Sequence, residues 1–350
     1  MATAAASRGP LTQAASVRRA HVITGLLGLW MTLGTHVDGW AHTHVISPLA
    51  EPGLPSDESF LTPWHGILYS GWLALAAWIY LHRDLPGYRL GLIGAIGFGV
   101  GGVFDFAWHT VFGIEVDMEA LLSPPHLLLV TMHLLMISTP LRAAWNSEMP
   151  RRIGWREFTP AAMSLTACVA LVVFITPYGF PFNDYLPSAR FSEGTFAPET
   201  RFRLAQEGGM LTFFVATLIL LTPMLAILKR WRPPFGTATV VIGLSAVGSM
   251  VVDPLLLGAP ILALSGIAMG LLADLLIAEF DPGPHRRKAW LAFGALTPLP
   301  LVVLSFVAIE LEWGLGWGVN LVTGSMVIAS LVGFGLALAV SAPEGREVTA

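Results

Sequence analysis

Residues 89–112 read RLGLIGAIGFGVGGVFDFAWHTVF. After the single basic residue Arg89 the stretch is an almost unbroken apolar run. At about 1.5 Å rise per residue, such a run crosses the roughly 30 Å hydrocarbon core of a bilayer as one helix. The apolar residues are continuous rather than alternating with period two, which argues against a barrel strand. The far end of the run nevertheless carries Asp105 and His109, which share one helical face at i,i+4 spacing. Ionisable residues inside a span are costly and usually functional. The same stretch therefore points to a helical membrane bundle and to the place of its polar chemistry.

Apolar runs of this kind recur. They predict about ten helices, at approximately 21–43, 63–82, 89–112, 120–142, 158–177, 208–229, 236–256, 259–280, 289–309 and 316–340. Composition agrees: of 350 residues 54% are hydrophobic and only 12% charged, and mean hydropathy is +0.68. Soluble domains hold roughly 25% charged residues, and disordered chains are poor in apolar ones, so neither class fits. The expected fold is an all-α polytopic transmembrane bundle. One cysteine, Cys168, excludes an intrachain disulfide framework and any Cys-based zinc or iron–sulfur site. The net charge of -4, with no basic domain, offers nucleic acid no footprint. GxSxG, HExxH and P-loop motifs are absent from the sequence.

The basic residues orient the bundle. With the N-terminus inside, sixteen of the nineteen Lys and Arg fall on cytoplasmic segments, and only Arg190, Arg201 and Arg203 lie opposite. This asymmetry predicts a multi-pass protein of the plasma (inner) membrane, with both termini cytoplasmic. Residues 1–17 read as a disordered tail, 18–145 as a hairpin region, 146–342 as a C-terminal transmembrane region and 343–350 as a second tail. Arg18-Arg19 before an apolar run resembles a signal peptide, but no small-residue cleavage site follows, so the segment is expected to be retained.

The hairpin region contains an internal repeat. Gly34, Asp38, His42 and Thr43 match Gly101, Asp105, His109 and Thr110 at one constant offset, giving G-x3-D-x3-H-T twice. After a loop, Glu58, Leu61, Thr62, Pro63 and His65 match Glu119, Leu122, Ser123, Pro124 and His126, giving E-x2-L-[ST]-P-x-H twice. The matches are mostly polar, which low-complexity Leu/Ala similarity does not produce. Thr62-Pro63 and Ser123-Pro124 read as hydroxyl N-caps followed by proline at the first helical position. His65 and His126 then stand in first helical turns. A helix N-terminus is an unfavourable place for a cation, and neutral imidazole is the form that binds metal. All these residues fall at the extracytoplasmic face, on two parallel hairpins.

Two imidazoles and one carboxylate make an open ligand set for iron, copper or zinc. The expected ligands are Asp38, His42 and His65 in one copy and Asp105, His109 and His126 in the other. One dinuclear centre and two mononuclear sites are both open. Glu58, Glu119, Tyr69, His36 and His133 are candidates to support the ligands from behind. The duller reading of Asp38–His42 and Asp105–His109 is a helix-end ion pair. For His36 and His44 it is an interfacial position, and for His133 a core histidine bonded to a backbone carbonyl. Asp274 either faces a cavity or pairs with a cytoplasmic arginine. Gly97-x3-Gly101 offers a close-packing face.

The strings Thr62-Pro63-Trp64-His65, Trp108-His109-Thr110-Val111-Phe112-Gly113-Ile114-Glu115-Val116 and Leu122-Ser123-Pro124-Pro125-His126 resemble an uncharacterised bacterial family of multi-spanning membrane proteins. The resemblance extends over most of the chain and implies a polytopic fold, with no activity attached. Locally, Asp105-x3-His109 followed by His126 is similar to the Asp-x3-His…His copper site in a membrane subunit of particulate methane and ammonia monooxygenases. That likeness implies a copper, iron or zinc centre on Asp105, His109 and His126, mirrored by Asp38, His42 and His65. Here the last histidine is further away and the set occurs twice.

The leading functional expectation is a metal-dependent membrane oxidoreductase acting on an apolar small molecule that arrives from the lipid bilayer. The alternatives are a metal-handling or transport protein, a zinc-type intramembrane hydrolase, and a structural subunit whose histidines only hydrogen-bond. No nucleic-acid partner is expected.

Overall fold

A computed structural model describes residues 10–42, 44, 62–113, 121–177, 186–189, 198–252 and 259–341, with the side chains of 10–13 and 198–202 outside that description. Among these residues every regular element is a helix: α1 Pro10–Ala41, α2 Pro63–Leu81, α3 Tyr88–Phe112, α4 Pro124–Ile137, α5 Thr139–Trp145, α6 Trp155–Ile175, α7 Pro198–Arg230, α8 Thr237–Val252, α9 Pro260–Phe280, α10 Arg287–Leu296, α11 Pro298–Trp313 and α12 Val319–Val340. Six helical segments are long and apolar enough to cross a membrane: α3, α6, residues 203–230 of α7, α9, α10 with α11, and α12. α4 and α5 pass the same test together, bent by 46°. The protein is an all-α polytopic membrane bundle. α1 and α2 are not among the six, because they carry many of the polar and aromatic residues of the motifs.

Three expected boundaries shift. α1 begins at Pro10, so residues 10–17, expected in a tail, are helical. The span expected at 120–142 is two helices meeting at Ser138, and the one expected at 289–309 is a single span whose helix is interrupted at Thr297. Prolines explain both breaks. Pro140 and Pro298 each lack an N–H, and the ring clashes with the carbonyl four residues back. At the first break a distant hydroxyl repairs the ladder: Ser164 of α6 accepts from the N–H of Leu141 at 3.3 Å and donates to the carbonyl of Ile137 at 2.6 Å. Those two backbone groups would bond each other in a straight helix, so the bend has an inserted side chain as its cause.

The chain divides into two compact units, Met1–Met149 with Gly154–Leu171, and Pro150–Ile153 with Val172–Ala350. Most of α6 belongs to the first unit, where Ala167 and Leu171 join the core.

In the first unit α1 packs on α2, α2 on α3, α3 on α4, and α4 back on α1. Met31, Leu75, Ile79, Phe98 and Met136 fill the interior. Close approach depends on glycine. A Cβ on Gly34 would stand 2.7 Å from the Cα of Leu68, so only glycine lets α1 and α2 approach so closely. Gly97 and Gly101 sit against the side chains of Met132 and Leu129 of α4, the close-packing face expected from their spacing.

In the second unit, Asp274 of α9 is buried and accepts from the N–H groups of Ala238 (3.1 Å) and Thr239 (2.9 Å) and from the hydroxyl of Thr239 (2.7 Å). Among the described residues it pairs with no arginine; it caps the N-terminus of α8, satisfying donors that a helix start leaves orphaned. Asp253, expected to end the preceding span, lies outside the described residues.

Candidate metal centre

Four helix ends carry the candidate ligands. The C-terminal end of α1 bears Asp38, with His42 just past it, and the first turn of α2 bears His65. The last two turns of α3 bear Asp105 and His109, and the first turn of α4 bears His126. Antiparallel pairing brings all four ends to one end of the unit. Asp38, His42 and His65 form one group, and Asp105, His109 and His126 a second. Within each group every residue offers one ligand atom, and those atoms lie within 4.8 Å of one another, so each group can hold a metal ion.

The second group is the more buried. The Asp105 side chain is 4% exposed, and Nε2 of both His109 and His126 stands 3.3 Å from its Oδ1. Neither nitrogen approaches in hydrogen-bonding geometry, and among the described residues Oδ1 has no hydrogen-bond donor. For His109 the opposite ring nitrogen explains why. Nδ1 of His109 lies 3.1 Å from the carbonyl of Gly113. A carbonyl only accepts, so Nδ1 carries the proton, and in the neutral ring Nε2 presents a lone pair to Asp105. Nδ1 of His126 is 2.8 Å from the hydroxyl of Ser123. Lone pairs facing a carboxylate oxygen repel each other, and a shared cation turns that repulsion into coordination. Tetrahedral ligands held about 2.0–2.1 Å from an ion stand about 3.3–3.4 Å apart, which matches both contacts.

The first group repeats the arrangement with more exposure. His65 Nε2 is 3.4 Å from Asp38 Oδ1, each side chain being 18% exposed. The rings of His42 and His65 lie edge to face with centroids 6.1 Å apart. Nδ1 of His65 is 2.8 Å from the hydroxyl of Thr62, the same bond as at Ser123. The two hydroxyls nevertheless differ. Thr62 also accepts the backbone N–H of His65 at 3.3 Å and is the N-cap that its sequence implies. Ser123 holds the N-cap position that its sequence implies, with proline next, but its hydroxyl makes no cap bond and serves the His126 ring instead.

Gly113 went unnoticed in the sequence. Its φ of 85° and ψ of 176° belong to a region open essentially to glycine alone. It ends α3 by donating its N–H to the carbonyl of His109 at 3.0 Å, and it turns its own carbonyl onto that ring. The signal was there as a glycine directly after the apolar run.

The other candidates fall elsewhere. His36 is buried and its Nδ1 donates to the carbonyl of Thr32 at 2.9 Å, an interior position rather than an interfacial one. His133 is a core histidine, as expected, and its Nε2 lies 3.4 Å from the hydroxyl of Thr32. Tyr69 stands one turn beyond His65, with ring centroids 6.2 Å apart. His44 stacks on Trp40 at 5.3 Å. Glu58 and Glu119 lie outside the described residues.

Comparison with family models, curated proteins and solved structures finds no match, so the chemistry of the site rests on its own geometry.

Proposed function

We propose that the protein is a membrane metalloprotein that binds copper, iron or zinc on Asp105, His109 and His126 and on Asp38, His42 and His65, and that it acts as an oxidoreductase. The observation that carries this reading is Asp105 Oδ1, buried and met at 3.3 Å by two Nε2 atoms outside hydrogen-bonding geometry. A carboxylate with two imidazoles leaves coordination positions open, as dioxygen or a substrate requires. The eight shared motif positions and the matching 2.8 Å hydroxyl–ring bonds support descent of the two groups from one duplicated hairpin. The skew of Lys and Arg supports a bacterial inner-membrane location, with both termini cytoplasmic and the groups facing outside. Apolar helix surfaces around them favour a small apolar substrate entering from lipid. The tetrahedral spacing also suits four-coordinate zinc with a bound water, which makes a zinc hydrolase the second reading.

The test is elemental analysis and EPR of detergent-purified protein expressed with copper, iron and zinc, beside an Asp105→Ala, His109→Ala variant. Bound copper or iron with an EPR signal, diminished in the variant, supports the oxidoreductase. Stoichiometric zinc alone favours the hydrolase. Wild-type protein without bound metal refutes both.

A further inference from the structure

The two ligand groups belong to one compact unit. Their helices form a closed ring, α1 on α2, α2 on α3, α3 on α4 and α4 on α1, with all six ligands at one end. Ligands presented this way by four helices are the usual construction of two-metal sites in bundle cores. Two side chains measure the gap. Tyr69 leaves α2 one turn beyond His65, and its hydroxyl lies 3.4 Å from where a Cβ on Gly102 would be, one turn before Asp105 on α3. The phenol thus reaches from the helix of one group to the helix of the other, within electrostatic range of both Asp38 and Asp105. His42 belongs to the first group, yet it lies within electrostatic range of Asp105, His109 and His126 as well as His65.

We infer that the two groups form a single two-metal centre at one end of a four-helix ring, with Tyr69 reaching from one group's helix to the other's, rather than two independent sites. The inference rests on the metalloprotein reading above and specifies its stoichiometry and coupling. Each group supplies two neutral imidazoles and one carboxylate, so two divalent ions leave the pair with a net positive charge. The ions therefore sense each other through the low-dielectric interior.

The probe is Cu²⁺ alone, titrated into the metal-free full-length protein in detergent. The expected result is two ions per chain and an EPR spectrum with dipolar broadening and a half-field transition. Asp38→Asn and His65→Gln, made separately, should each leave one ion and a narrow spectrum of isolated Cu²⁺. Because the decisive spectrum comes from wild-type protein, misfolding of either variant does not blunt the test. Two ions whose spectrum is the sum of two uncoupled sites, or one ion only, overturn the inference and leave the metalloprotein reading standing. Failure to bind any Cu²⁺ overturns the inference too, and removes copper from that reading.

Discussion

Ser123→Ala isolates what the protein contributes to a ligand from behind. Ser123 is buried, its hydroxyl lies 2.8 Å from Nδ1 of His126, and it makes no N-cap bond. The backbone of the first turn is held independently, by Pro124 and by the Leu127 N–H on the Ser123 carbonyl at 3.0 Å. The substitution therefore removes one bond to the ring and little else. A neutral hydrogen bond contributes about 1 kcal/mol, and the cost of leaving the ring nitrogen without its partner adds to it, up to about 1–3 kcal/mol for a fully buried group. Partners behind a metal-bound histidine typically contribute about 10–100-fold in affinity, or about 1.4–2.7 kcal/mol, in the same range. Competition titration against a chromophoric chelator should show metal affinity falling by about that factor in the Asp105 group, with the Asp38 group unchanged. Ser123→Thr, which copies Thr62, should bind as wild type. Affinity within about twofold of wild type in Ser123→Ala would refute the role of the hydroxyl. An equal loss in both groups would show that the substitution acts on the fold instead.

Gly34→Ala places a Cβ 2.7 Å from the Leu68 Cα, and backbone cannot yield as a side chain can. It should cost about 1–3 kcal/mol by overpacking and weaken metal binding in the Asp38 group. Gly101→Ala meets the flexible Leu129 side chain and should do less in a parallel thermal melt. Asp274→Ala deprives α8 of three capping bonds and should lower stability by about 2–3 kcal/mol while metal titrations stay unchanged. Metal at about a hundred times its dissociation constant should stabilise the wild type by about 2.7 kcal/mol, and Asp38→Asn combined with Asp105→Asn should abolish that shift.

Much of this molecule is legible in its residues. Bilayer crossing demands long apolar runs, so the helices announce themselves, and the doubled polar spacing singles out all six candidate ligands. What hydropathy does not register is the hydrogen-bond ladder. Pro140 and Pro298 were in plain view, yet their apolar surroundings read as continuous spans. The repair by Ser164 joins residues 23 and 27 positions apart, and Asp274 reaches partners 35 and 36 positions away. No local pattern encodes such pairs. The site shows the same division. The i,i+4 contact of Asp105 with His109 follows from helical spacing, whereas the contacts of Asp105 with His126 and of Asp38 with His65 cross between helices. Thr62 and Ser123 look equivalent in sequence, and only geometry shows that Thr62 adds a cap bond to its ring bond while Ser123 makes the ring bond alone.

The turn at Gly113 has a bearing on the order of assembly. One backbone reversal both stops α3 and fixes the tautomer of His109. Completing the helix therefore arms the ligand, before any ion arrives. Small zinc domains work the other way, because their binding free energy is their folding free energy and the apo chain stays unfolded. Here the backbone at the helix end already sets the tautomer of His109, so on the metalloprotein reading an ion would meet a ligand prepared by the fold rather than by the metal.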